Sequence, residues 1–98
     1  MKYRALPSSY AARDLAILAN ILAPHPGKAR RLFKEMEHKL DLLEDNPHMW
    51  PVYHANPKYR RMNLEDHALF YTIDEAKREV NIYRVIYARR DIERLLGE

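Results

Sequence analysis

Three β-rich runs in the second half of this chain, Tyr59 to Leu64, Ala68 to Ile73 and Val80 to Tyr87, are joined by connections too short to hold a helix. Parallel neighbours require a crossover of about a dozen residues or more, whereas antiparallel neighbours need only a turn. The connections built on Glu65-Asp66 and on Asp74-Glu75-Ala76-Lys77 therefore demand an antiparallel meander. That sheet is one layer of the fold, and the remaining residues must cover it.

Upstream the apolar period changes to that of a helix. Ala11, Leu15, Leu18 and Leu22 recur at helical spacing between Tyr10 and Ala23, with Arg13, Asp14 and Asn20 placed on the surface. Ser8 and Ser9 are natural caps for its start. Pro24-His25-Pro26-Gly27 stops it, because proline cannot continue the hydrogen-bond ladder. A second helix runs from Lys28 to Asp45 with Ala29, Leu32, Phe33, Met36, Leu40 and Leu43 on one stripe. The short connection makes the pair an antiparallel hairpin. Lys2 to Leu6 suits a first strand ended by Pro7. Pro47 to Pro57 reads as a loop anchored by Trp50, and Asp91 to Leu96 as a last helical turn or two with Ile92, Leu95 and Leu96 inward. The expected architecture is α+β, one domain over residues 1–98, with the hairpin on one face of a small antiparallel sheet. Two helices cover only one face of such a sheet, so the other is expected to be solvated or occupied by a partner.

Composition narrows the chemistry. There is no cysteine, which excludes disulfides and thiolate metal sites. The two glycines cannot build a phosphate-cradling loop, and the five histidines lack paired ligand spacing, so neither cofactor nor metal is expected. No stretch has the length of a membrane span and no leader pattern opens the chain; a cytoplasmic protein is expected. Seventeen Lys and Arg stand against 14 Asp and Glu, a net charge of +3, and four of the seven tyrosines lie among the C-terminal arginines. Cations and aromatics together suit nucleic acid, where phosphates pair and bases stack.

Arg60 and Arg61 are consecutive, so a strand sends them to opposite faces. Arg84 lies in mid-strand, where an unpaired guanidinium would need water. Tyr87, Arg89 and Arg90 follow where the chain leaves the sheet. Such a set suits metal-free cleavage of RNA, in which arginines stabilise the phosphorane and a phenol, imidazole or carboxylate moves protons. Spacing alone fits a solvated sheet face better, with Arg89 or Arg90 paired to Asp91 or Glu93, since surface arginine is common.

The run Tyr59-Arg60-Arg61-Met62-Asn63, then His67 to Asp74, then Val80 to Ile92 with its Arg84-Val85-Ile86-Tyr87-Ala88-Arg89-Arg90-Asp91-Ile92 ending, resembles the RelE/ParE superfamily of bacterial type II toxins. The helix start Ala11-Ala12-Arg13-Asp14-Leu15 is similar to the same superfamily's N-terminal half. The resemblance implies a cognate antitoxin as partner, wrapping the toxin with an amphipathic acidic segment. It also implies either ribosome-dependent cleavage of mRNA, as in RelE-like members, or inhibition of DNA gyrase without nuclease activity, as in ParE-like ones. An inactive relative that only binds its antitoxin is the third reading.

Under the first reading Arg60, Arg84, Tyr87 and Arg89 would be catalytic, with Arg61, Arg90 and His67 binding RNA on the ribosome. Arg60 matches a basic residue on the family's second strand, Tyr87 stands where many relatives have histidine, and Arg89 matches the arginine beyond it. Ala68 stands where active RelE-type nucleases carry arginine, and Leu95 near their C-terminal tyrosine. These departures weaken the RelE-like assignment, and Ala68 with the Arg89-Arg90-Asp91-Ile92 ending supports the gyrase alternative; ribosome-dependent mRNA cleavage stays the first expectation.

Overall fold

The computed structural model describes residues 2–97. Along the chain run β1 (Arg4–Pro7), α1 (Ser9–Leu22), α2 (Pro26–Asp45), β2 (Arg60–Leu64), β3 (His67–Asp74), β4 (Glu79–Tyr87) and α3 (Ile92–Gly97). The four strands form one sheet in the order β1-β4-β3-β2, with the meander antiparallel and β1 parallel to β4 at the edge. The fold is α+β, as the sequence pattern demands.

The local signals act as expected, with small shifts at the boundaries. Ser8 caps α1, its Oγ accepting from the Ala11 N–H at 3.0 Å. Pro26 does not stop a helix; it is among the first residues of α2, where its missing N–H has no partner to lose and its fixed φ is already helical. Pro7, expected to end the first strand, is its last residue, and the strand begins at Arg4 rather than Lys2. At the β2–β3 turn, Glu65 takes the positive φ of 51° that a two-residue hairpin requires, so Leu64 faces His67 directly.

The main core lies between the helical hairpin and one face of the sheet. Leu18, Leu22, Leu32, Met36 and Leu43 meet Met62, Leu64, Leu69, Tyr71, Val80 and Ile82, and Trp50 packs against the same cluster. Tyr71, wholly buried, donates its hydroxyl to the Pro47 carbonyl at 2.7 Å.

The second face of the sheet departs from expectation. It is neither solvated throughout nor left to a partner: Ile92 and Leu96 of α3, together with Tyr59, bury Ala68, Phe70 and Ile86 in a second cluster flanked by Tyr53, Tyr83 and Leu95. Short as it is, α3 closes the opposite side.

One irregularity ties the layers together. Phe70 faces Arg84 while Tyr71 faces Ile82, so Tyr83 is one residue too many on β4, a β-bulge. Beyond Ile82, β4 also loses β1, whose register ends at Pro7. Edge groups left there must find other partners. The start of α1 supplies them: Ser8 Oγ donates to the Tyr83 carbonyl at 2.8 Å, and the Val85 N–H donates to Asp14 Oδ2 at 3.0 Å.

Candidate functional site

At the end of β4, Tyr87 pairs in register with His67 of β3, and their rings meet edge to face with centroids 5.4 Å apart. His67 Nδ1 lies 2.8 Å from Asp66 Oδ1. A carboxylate only accepts, so this nitrogen carries the proton. Burial pushes the Asp66 carboxyl up, but the His67 hydrogen bond and charge, with Lys28 at 3.6 Å, outweigh it and leave the pKa below the ordinary value. Tyr87 and His67, with Arg90, Ile17, Ile21 and Leu95, line a groove of about 140 Å³ between α1 and the end of β4.

Arg89 and Arg90 occupy the turn from β4 into α3, exposed. Neither makes an ion pair among the described residues; Asp91 turns instead to Arg94, 4.0 Å away. The groove's outer lip is apolar. Ile17 and Ile21, one helical turn apart, are 49% and 63% exposed.

Arg84 is differently employed. Its Nε and Nη2 donate to the two carboxylate oxygens of Asp14 at 2.8 and 3.1 Å, a bidentate pair whose side chains are 18% and 15% exposed. Nη1 reaches the Leu95 carbonyl at 3.4 Å. The expected solvated guanidinium is thus a part-buried clasp joining α1, β4 and α3. Asp14, expected on the surface, is its other half.

Arg60 is far from Tyr87. Tyr87 stands in the row of His67 and Leu64, whereas Arg60 stands in the row of Tyr71, about 13 Å further along the sheet. Its Nη1 donates to the Trp50 carbonyl at 2.7 Å. Arg61 takes the opposite face, its guanidinium 5.6 Å from the Tyr53 ring centre and 5.8 Å from that of Phe70, with Nε donating to Asn63 Oδ1 at 2.9 Å.

Of the seven sequence-predicted residues, the structure therefore gathers His67, Tyr87, Arg84 and Arg90 around one groove and sets Arg89 in the adjoining turn. Arg60 and Arg61 lie at the far end of the sheet. Ile17 and Ile21 were missed because they sit off the helix stripe that packs the core; two isoleucines at i, i+4 on the otherwise polar side were the available signal. No cluster of three or more His, Asp or Glu able to hold a metal occurs among the described residues, and no described helix is long and apolar enough to cross a membrane.

The family model of the ParE toxin of the type II toxin–antitoxin system parDE matches residues 6–92. The chain belongs to the ParE toxin family. Among solved structures, this ParE-family chain is similar to one from the chromosomal ParDE system of P. aeruginosa, with a TM-score of 0.70 and 17% identity over 90% of this chain and 98% of that one. It is also similar to one from the RelBE2 toxin–antitoxin complex of Mycobacterium tuberculosis, with a TM-score of 0.63 and 23% identity over 89% and 99% of the two chains. At such identities the likeness is one of fold. No curated protein matches the sequence significantly. The chain is accordingly a toxin of a type II toxin–antitoxin system.

Proposed function

We propose that this toxin acts by binding rather than by cleaving RNA, as a ParE-like inhibitor of DNA gyrase in the bacterial cytoplasm that is held inactive by a cognate antitoxin. The observation that carries the reading is the engagement and separation of the guanidinium groups. A nuclease of this kind needs cations aimed at one phosphorane. Here Arg84 is bonded to Asp14, and Arg60 is bonded to a loop carbonyl at the other end of the sheet. What is left at the end of β4 is an apolar lip, Ile17 and Ile21, beside the exposed cations Arg89 and Arg90. Such a patch suits docking to a protein surface, with the cations also able to meet an acidic antitoxin segment.

The test is a plasmid-supercoiling assay with purified toxin and gyrase, run beside mapping of transcript ends in arrested cells. Supercoiling should fail as toxin is added while messages stay intact. Unimpaired gyrase at high toxin concentration would remove this reading. Transcripts cut only during translation would instead establish ribosome-dependent mRNA cleavage, which the His67–Tyr87 pair beside Arg90 supports as the second reading.

A further inference from the structure

On the far side of the molecule a groove of about 340 Å³ runs between α2 and the outer edge of β1. Its floor is apolar, with Phe33 and Leu40 left half-buried beside buried Met36 and half-buried Ala5. Its rim is made of acceptors. Glu37, Asp41 and Glu44 follow one another along the α2 face, and none of them has a cation within 4 Å among the described residues. The edge strand adds no donor. The Tyr3 N–H is spent on the Glu44 carbonyl and the Ala5 N–H on Glu44 Oε2 at 2.8 Å, while Pro7 has no N–H.

These facts exclude some occupants. An added β-strand needs donors as well as acceptors on the edge it joins, and this edge offers none. An acidic segment would set its carboxylates against three others. A second copy seated by the same face would oppose identical acidic rims, since a two-fold contact brings a patch against itself. What fits is the complement: apolar side chains for the floor, with ammonium or guanidinium groups on both flanks.

We infer that the α2–β1 groove is a docking site for a basic amphipathic helix of a partner protein, distinct from the Ile17–Tyr87–Arg90 groove and independent of which target the toxin poisons. Because the molecule carries a net charge of +3, a basic helix is repelled by it as a whole and is drawn only to a local reversal of sign.

The test uses the whole toxin and a synthetic amphipathic peptide of about 15 residues, leucine on one face and lysine on the flanks, with fluorescence anisotropy for affinity and amide chemical shifts for location. Binding should shift amides from Phe33 to Glu44 and those of β1, and should weaken with salt. The double variant Glu37→Lys/Asp41→Lys, both positions exposed, should keep its thermal transition and weaken binding about tenfold or more. A peptide of the same composition with its leucines scattered should bind far less well. Leu40→Ser, with the acidic rim intact, should also weaken it. Binding that maps to α1, that survives the charge reversal, or that is matched by a glutamate-flanked peptide would overturn the assignment, as would no binding at millimolar peptide. Self-association relieved by Glu37→Lys/Asp41→Lys would instead make the occupant a second copy and overturn it too.

Discussion

Arg84 shows how much a single side chain's role depends on a residue far away in sequence. Strand position alone makes a mid-strand arginine an apparent functional cation; 70 residues upstream, Asp14 turns it into a clasp. Removing one partner of a part-buried ion pair strands the other charge, which costs more than the pair contributes. Asp14→Ala also leaves the Val85 N–H without its acceptor. We expect Asp14→Ala to lose about 3 kcal/mol in urea unfolding, and the Asp14→Ala/Arg84→Met double variant to recover part of it. Additive losses would mean that the two residues act separately. Tyr71 gives a second expectation at this scale. Burial, opposed in part by the Arg60 guanidinium, raises its phenol from 10.0 to about 12. The folded state then keeps a proton that the unfolded chain gives up. The associated stability is complete below pH about 10 and is lost as the pH rises toward about 12. Tyr71→Phe should flatten this alkaline decline while costing about 1 kcal/mol at neutral pH through the lost bond to Pro47.

Among the elements, legibility followed the range of the physics. The meander was readable because two short connections permit nothing else, and the helical hairpin because its stripes of leucine have one period. What covers the second face was not readable. Phe70 and Ile86 alternate with Leu69 and Val85 on the same strands, so both faces look apolar, and which one a six-residue helix covers depends on a turn at Arg89-Arg90 that carries no strong signal. For the same reason alternation shows that Arg60 and Arg61 face opposite ways without saying which faces the Trp50 loop. The role of α3 can be measured. Leu96 is 3% exposed against Phe70 and Ile86, whereas Leu95 is half-buried at the margin. Leu96→Ala should cost about 2 kcal/mol in denaturant unfolding, near the low end for a buried leucine because a terminal helix can readjust, and Leu95→Ala should cost less. Equal, negligible costs would mean that α3 is not docked in solution.

At the scale of the whole molecule, the cations bonded within the fold are separated in space from those left exposed. The arginines within the sheet, Arg4, Arg60, Arg61 and Arg84, are bonded to the protein itself, while Arg89 and Arg90 stand in a turn and make no ion pair among the described residues. Exposed charges of that kind contribute little to folding and much to association, by steering an oppositely charged partner and setting its register. The variant Arg89→Glu/Arg90→Glu should therefore fold with stability within about 0.5 kcal/mol of the parent. Yet it should arrest growth poorly and capture an acidic antitoxin segment more slowly, with a weaker dependence of the association rate on salt. Ile21→Asp should act on the same surface by another route, adding a carboxylate to the apolar lip and speeding dissociation rather than slowing capture. The contrast between rate of capture and rate of escape is what separates a composite apolar and cationic surface from a merely charged one. If Ile21→Asp leaves toxicity and complex lifetime unchanged while the arginine variant abolishes both, the α1 lip lies outside the working surface and the turn after β4 acts alone.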